Sequence, residues 1–222
     1  MCSSDLKTHN ALLYSAENIN FGAIKLLSPT PPAITDRRVT YTSIPPIDFL
    51  GYSRFIIQSL YEHVTTEHCL IIQADGFVVN PDLWRPEFLD YDYIGAPWPE
   101  FVDLKPSNNR LYLTRNQVGN GGFSLRSKRL LEITSLINFD GLNLPILSED
   151  LLTCHYLYDE LSSLGAQFAP LELAAQFSID EPYEHSENPL TNTFGFHGKH
   201  HLADLVDRFI CERLTRQIMP PS

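Results

Sequence analysis

Apolar residues with helical spacing alternate with apolar runs of strand length along the first part of the chain. Residues 9–18 suit a helix, residues 23–27 suit a short buried strand, and helical spacing returns over residues 51–64. Residues 69–73 then form a continuous apolar run, which is typical of a strand buried on both faces. This repeated order of helix and buried strand predicts an α/β sheet.

The later part of the chain continues the pattern with shorter segments. We expect extended segments at residues 118–125 and 194–197, and helices at residues 128–137 and 151–164. A last amphipathic helix is predicted over residues 201–216.

Length and composition favour one globular unit. With 222 residues and 43% hydrophobic content, the chain can bury a substantial core. No repeat, low-complexity tract or charge block marks a boundary, so we expect a single domain over residues 1–222. The formal net charge of -11 argues against binding nucleic acid or an anionic membrane through a general basic face, because such surfaces would repel the chain.

The sequence also indicates a compartment. No apolar run approaches the roughly 20 residues that span a bilayer, and the polar first residues do not resemble a signal peptide. The cysteines Cys2, Cys69, Cys154 and Cys211 are isolated from one another, which favours free thiols. We therefore expect a soluble, cytoplasmic protein with no transmembrane segment, at most peripheral to a membrane.

An acid stands directly after the continuous apolar run. Ligands of open α/β sheets bind beyond the carboxyl ends of the strands, and Asp75 occupies that place. Its carboxylate suits a divalent cation that bridges the phosphates of a nucleotide diphosphate. Gly76 would let the backbone pass close to the ligand. The alternative is a simple turn, which Asp-Gly pairs often form.

The segments around this acid resemble a known class of enzymes. Tyr52-Ser53-Arg54-Phe55 followed by residues 68–81 looks like the donor-site segment of glycosyltransferases with the GT-A fold, where a Tyr-x-Arg helix precedes a strand that ends in Asp-x-Asp. Together with residues 91–98 and 119–125, it resembles an uncharacterised, mainly bacterial family of glycosyltransferase-like proteins, a domain of unknown function. The chain departs from Asp-x-Asp, because Ala74-Asp75-Gly76 offers one carboxylate.

The resemblance covers nearly the full chain and implies a fold. That fold is a single GT-A-like, Rossmann-like α/β domain with a mixed central sheet flanked by helices. Few residues precede the first predicted helix, where such folds place a strand that helps to hold the nucleotide base. We therefore expect the first strand to be shortened or lost.

The resemblance also implies donor-binding residues. Arg54, in the motif that begins with Tyr52, would lie near the donor phosphates or sugar, since a guanidinium binds oxyanions in a bidentate way. Asn120, Gly121 and Gly122 resemble the element that lines the sugar pocket. The alternatives are a surface arginine and a simple bulge or tight turn.

A second acidic site precedes the helix predicted from residue 151. Glu149 and Asp150 resemble the Glu-Asp motif of inverting enzymes, in which a carboxylate takes the proton of the acceptor hydroxyl. Asp150 is the first choice for this base and Glu149 the second. Helix capping by Ser148 or the acids is the alternative, and the segment could also match a sugar-contacting acidic segment of retaining enzymes.

Three further residues complete the predicted site. His197 resembles the late histidine that completes the metal site, so Asp75 and His197 would hold Mn²⁺ or Mg²⁺. Lys199, or its neighbour His200, could neutralise the leaving diphosphate. Trp98 could stack on the acceptor, although large aromatic residues more often pack in a core.

These residues predict a metal-dependent glycosyltransferase of polysaccharide biosynthesis. It would move a sugar from a nucleotide-diphosphate donor to a hydroxyl of a glycan or glycolipid, with inversion if the base lies opposite the leaving group. The alternative from another class is a catalytically silent carbohydrate- or nucleotide-binding module. A nucleotidyltransferase would need a glycine-rich, lysine-containing loop near the N-terminus, and a glycosidase would need two separated carboxylates.

Overall fold

A computed structural model of the chain describes residues 3–17, 19–32, 35–104, 109–180, 190–202 and 205. These residues form a mixed α/β structure with several small sheets. The strands are β1 (Ile24–Ser28), β2 (Val39–Ser43), β3 (His68–Ile72), β4 (Tyr93–Ile94), β5 (Phe101–Leu104), β6 (Asn109–Tyr112), β7 (Phe123–Ser127), β8 (Ser178–Ile179) and β9 (Gly195–Phe196). The α-helices are α1 (Ser3–Ser15), α2 (Phe49–Gln58), α3 (Lys128–Ser135), α4 (Glu149–Leu151), α5 (Tyr158–Ser163) and α6 (Leu171–Phe177).

The strands pair in four groups. β1 and β2 are parallel, and β7 lies between β3 and β4, antiparallel to both. β5 pairs with β6 in an antiparallel hairpin, and β8 pairs with β9 in parallel. The structure is thus mixed α/β, but the parallel and antiparallel pairs lie in separate small sheets, and the described residues do not form the single mixed central sheet that was expected.

Strand β3 is covered on both faces. Side chains of a strand alternate between faces, and here Cys69 and Ile71 pack with the cluster formed by α2 and α3, whereas Leu70 and Ile72 pack with clusters on the other face. The predicted buried strand is therefore confirmed as β3. All its residues are only half-buried, however, which requires an opening beside the strand.

Helix α2 begins and ends with definite hydrogen bonds. The carboxylate of Asp48 accepts from the backbone N–H of Gly51, and the N–H of Ser59 closes the last turn on Phe55. The helix predicted over residues 51–64 is therefore divided, with a 3-10 turn at Leu60–His63 after α2.

The other predicted elements are largely confirmed with shifted bounds. The first helix begins earlier than expected and ends at Ser15, and the first strand is β1. The extended segment at residues 118–125 begins as a strand only at Phe123, because Val118 makes an isolated bridge to Pro97. The helix predicted over residues 201–216 falls mostly outside the described residues.

The helix predicted over residues 151–164 is interrupted. After α4, residues Leu152–Tyr156 form a π-helical turn, in which the N–H of Leu157 donates to the carbonyl of Leu152. Helix α5 follows it. A wide turn of this kind carries one additional residue and is frequent at functional sites.

Two further observations bear on the sequence predictions. Among the described residues, no helix is long and apolar enough to cross a membrane. Cys69 and Cys154 are free thiols, as expected, and burial raises the pKa of Cys69 to about 11. The expected free thiols at Cys2 and Cys211 lie outside the described residues.

Candidate active site

Asp75 and His197 meet at the end of β3. The turn after the strand is closed by reciprocal backbone hydrogen bonds between Gln73 and Gly76, so the simple turn does form. That turn presents the carboxylate of Asp75, whose Oδ1 lies 3.9 Å from Nε2 of His197. The N–H of Gly198 donates to the carbonyl of Asp75 and fixes the two segments together. The structure thus brings the two predicted metal ligands side by side.

Asp180, which directly follows β8, contacts the imidazole of His197 at Nδ1, while Nε2 faces Asp75. Its Oδ1 accepts from Nδ1 of His197 at 3.2 Å, and its Oδ2 accepts from the amide of Asn120 at 2.5 Å. The ring nitrogens of His200 and His201 contact its carbonyl oxygen. Since a carboxylate only accepts, the proton of neutral His197 lies on Nδ1 and the lone pair of Nε2 faces Asp75.

Sequence reasoning missed Asp180. The available signal was an acid placed after a short strand, in the same position that Asp75 takes after β3. Burial lowers the pKa of His197, but the hydrogen bond and charge of Asp180, together with the charge of Asp75, raise it above its usual value. The pair of acids thus favours positive charge at this place.

The glycine loop at residues 120–122 packs tightly around the acidic and imidazole side chains. Asn120 has a positive φ of 57°, and its Oδ1 accepts from the N–H of Gly122. A Cβ on Gly121 would overlap Glu149, and a Cβ on Gly122 would overlap the ring of His197. Glycine is therefore needed at both positions to avoid a clash with Glu149 and His197. The expectation of a sugar pocket did not include this packing reason.

Glu149 and Asp150 have different environments. Glu149 is 4% exposed and its Oε2 accepts from Arg126, itself 1% exposed, at 2.5 Å. Burial raises the pKa of Glu149 to about 7, although the Arg126 guanidinium opposes that rise. An acceptor hydroxyl cannot approach a carboxylate enclosed in this way, which leaves Asp150 as the candidate base.

Asp150 is half-buried and faces the glycine loop. Its Oδ2 accepts from the N–H of Gly121 at 3.3 Å and its Oδ1 from the N–H of Leu151 at 2.8 Å. The hydroxyl of Ser148 makes no cap to the helix. A side chain therefore accepts a backbone N–H at the start of this helix, as the capping alternative expects, but that side chain belongs to Asp150 and not to Ser148.

Tyr52 and Arg54 lie on different sides of α2. Tyr52 lines a cavity of about 1220 Å³ together with Asp75 and Lys199, and its hydroxyl accepts from Gln73 at 2.7 Å. Arg54 instead forms a bidentate pair with Asp140, with both side chains well exposed. Residues two apart do not share a helix face, so the motif cannot direct both side chains to one ligand. The expected donor contact of Arg54 is thus not supported.

Trp98 is packed in the core. Its side chain is 6% exposed, belongs to the cluster that contains Tyr93 and Leu130, and fills the space that a Cβ on Gly119 would need. The ring offers no open face to an acceptor, so the alternative of core packing is correct and the predicted stacking is wrong.

The pair of Asp75 and His197 fits a hard divalent cation that also binds substrate. In the described part of the chain, no three or more His, Cys, Asp or Glu side chains form a metal cluster. Mg²⁺ is commonly held by one or two carboxylates, with phosphate oxygens and waters completing its shell. Asp75 offers one such carboxylate, and the imidazole of His197 would add a nitrogen ligand; both side chains are about one-fifth exposed.

The arrangement defines a mixed α/β protein with an acidic, histidine-containing site at the end of a strand. The chain belongs to the family described as "Protein of unknown function (DUF5672)", which it matches over residues 45–197. The matched span includes Asp75, Asp150, Asp180 and His197. Neither the curated proteins nor the solved structures contain a match to the chain.

Proposed function

We propose that the protein is a glycosyltransferase of the GT-A type that uses a nucleotide-diphosphate sugar and Mn²⁺ or Mg²⁺. The observation that carries the proposal is the approach of Asp75 Oδ1 and His197 Nε2 to 3.9 Å beside a large cavity. The two residues are far apart in the sequence, and a turn and a hydrogen bond from Gly198 fix their positions.

The donor would bind at the end of the cavity that Asp75 shares with Tyr52 and Lys199. Asp75 and His197 would hold the cation, which when bound neutralises charge on the departing diphosphate. Lys199 is exposed and can pair with a phosphate oxygen, since its ammonium is a mobile point charge. In this proposal Lys199 takes the part that the sequence assigned to Arg54.

The acceptor would bind near the glycine loop, with a hydroxyl of a glycan or glycolipid directed at Asp150. Asp150 is half-buried, and backbone N–H groups of Gly121 and Leu151 hold its two oxygens. A carboxylate fixed in this way can take the hydroxyl proton as the hydroxyl oxygen attacks the anomeric carbon. Attack from the face opposite the diphosphate gives inversion.

A titration of nucleoside diphosphates, with and without Mn²⁺, tests the donor site. We expect a rise in melting temperature that requires both components, because a ligand that binds only the folded chain stabilises it. Asp75→Ala and His197→Ala should abolish the rise, and Asp82→Ala, at an exposed carboxyl of another segment, should preserve it. A shift of equal size in Asp75→Ala would contradict the proposed cation site.

A silent binding module is the second candidate, favoured by the single carboxylate at the end of β3 and by the internal hydrogen bonds of Asp150. Hydrolysis or transfer from labelled nucleotide sugars separates the two functions. A transferase should lose turnover in Asp150→Asn while its Mn²⁺-dependent nucleotide binding persists. Binding without turnover in the unchanged protein would favour the module.

A further inference from the structure

Two strand edges border the same cavity. Its lining includes four consecutive residues of β1, Ile24 to Leu27, and every residue of β3. Consecutive side chains of a strand point to opposite faces, so a cavity on one face would meet only alternate residues. The cavity must therefore run along the edges of β1 and β3. We call this part of the cavity the strand groove.

Both edges have unused hydrogen-bonding capacity. β1 pairs with β2 on its other side, and β3 pairs with β7 on its other side. Within the described ranges, no backbone hydrogen bond joins β1 to β3. Each strand thus directs alternate N–H and C=O groups into the strand groove, and such an edge is a template for another strand.

The strand groove is covered from two sides and is largely apolar. Thr8 and Leu12 of α1 line it, and so do Tyr52, Phe55 and Ile56 of α2. Because α1 and α2 pack on opposite faces of β3, they occupy the positions of helices above and below a sheet. The half-exposure of all five residues of β3 is explained by the space beside them.

The size of the cavity also favours a polypeptide. Its volume of about 1220 Å³ exceeds the roughly 300–1,000 Å³ that is usual for small-molecule pockets. A strand rises about 3.3 Å per residue, so about five to seven residues would span edges of this length. Side chains on both faces of such a strand would meet apolar helices.

We propose that the strand groove binds an extended, apolar polypeptide segment as an additional β-strand. The segment forms backbone hydrogen bonds with β1 on one side and with β3 on the other. It thereby joins the two sheets in the order β2, β1, bound strand, β3, β7 and β4. Recognition of this kind takes its affinity from main-chain hydrogen bonds and its selectivity from side-chain pockets.

A matched pair of synthetic peptides tests the proposal in the absence of nucleotide and metal, which separates it from the proposed enzymatic function. The first is a valine- and isoleucine-rich peptide of about seven residues with a lysine at each end. The second has the same side chains but alternate N-methylated amides, so it cannot donate along one edge. We expect the first peptide to bind saturably and the second to bind at least about tenfold more weakly.

Hydrogen exchange locates the bound peptide. The first peptide should slow exchange of amides in β1 and β3 and leave the hairpin of β5 and β6 unchanged. Leu27→Asp, which places a charge in the strand groove, should weaken binding, while Leu136→Asp, at a side chain that is 85% exposed, should not. The peptide comparison stands even if Leu27→Asp does not fold.

Three outcomes would overturn the proposal. Equal affinity of the two peptides would show general apolar adhesion without strand pairing. Failure of the first peptide to bind the monomeric protein would show that the edges accept no strand. Sedimentation that reveals a dimer, with β1 and β3 already protected from exchange, would assign the groove to a second copy of the chain.

Discussion

Asp180 fixes the tautomer and the direction of the His197 ring through one carboxylate oxygen. In Asp180→Asn the side chain keeps its size but loses its charge and half of its accepting capacity. A lost partner of this kind usually costs about 10–100-fold in metal affinity. We therefore expect Mn²⁺ affinity, measured calorimetrically with a nucleoside diphosphate present, to fall within that range.

A matched substitution separates this effect from a loss of charge alone. Asp82→Asn removes the same charge from an exposed residue of another segment and should leave Mn²⁺ affinity unchanged. Asp180 is about one-fifth exposed, so its variant should remain folded. Unaltered Mn²⁺ affinity in Asp180→Asn would show that His197 needs no partner.

Gly122 gives a second prediction at this scale. A methyl group there would overlap the His197 ring and push the imidazole away from Asp75. Gly122→Ala should therefore lose metal-dependent nucleotide binding in the thermal-shift titration. Gly22→Ala is the control, because its added carbon would meet its nearest neighbour, Thr66, at 3.7 Å, an ordinary contact. Full binding in Gly122→Ala would contradict the need for close packing.

Sequence reasoning anticipated that Asp75 and His197 lie close together, because Asp75 follows a buried strand and His197 stands in a short extended segment. It could not decide between the alternatives for Arg54 and Trp98, because the direction of a helical side chain and the burial of a loop aromatic depend on packing. Asp180 was missed because the strand that it follows, β8, has only two residues and offers no apolar run that would mark the position.

At the scale of elements, the start of α2 rests on one capping side chain. Asp48→Ala removes the acceptor for the N–H of Gly51, which costs about 1 kcal/mol in typical helices. We expect the free energy of unfolding in urea to fall by about that amount. Asp48→Asn keeps a capping oxygen and should retain most of the stability. A loss of equal size in both variants would point to charge instead of capping.

The junction of β7 and α4 contains the buried pair of Arg126 and Glu149. The pKa of Glu149 rises from its ordinary 4.5 to about 7 on folding. Its contribution to stability is therefore complete below about pH 4.5 and is lost as the pH rises through about 7. We expect the melting temperature to decrease over that window, measured by calorimetry.

Glu149→Gln tests this assignment, because an amide does not titrate. The variant should show a flatter dependence of melting temperature on pH across the same window. An unchanged slope in Glu149→Gln would mean that another group is responsible for the dependence.

Helices and strands could be predicted where several turns or alternations repeat. The apolar run of β3 and the spacing of α2 and α3 were sufficient. The π-helical turn after α4 was not predictable, because its residues have ordinary helical character and only one hydrogen bond of different spacing distinguishes the turn.

At the scale of the whole molecule, the proposed donor is anionic and the chain itself has a net charge of -11, so a local cation has to offset the repulsion. Lys199 lines the cavity, whereas the guanidinium of Arg54 is paired with Asp140. Lys199→Ala should therefore weaken nucleoside diphosphate binding about tenfold, and Arg54→Ala should change it little. Isothermal titration measures both. A larger loss in Arg54→Ala would restore the role that the sequence assigned to it.

The assembly of the molecule was predictable in kind and not in detail. The order of helices and strands along the sequence predicted an α/β structure. The lengths of the small sheets, and the cavity between β1 and β3, arise from contacts between segments that no local pattern records.

The wide turn at Leu152–Tyr156 determines how the protein would respond to a one-residue insertion or deletion in this region. Successive residues of an α-helix are rotated by about 100°. Deleting one residue in the turn would therefore restore regular α-helical geometry and rotate the residues before the turn by about that angle relative to α5. Asp150 would then point away from Gly121, while the rest of the helix kept its packing. Insertions and deletions at this point can thus alter chemistry while sparing the scaffold.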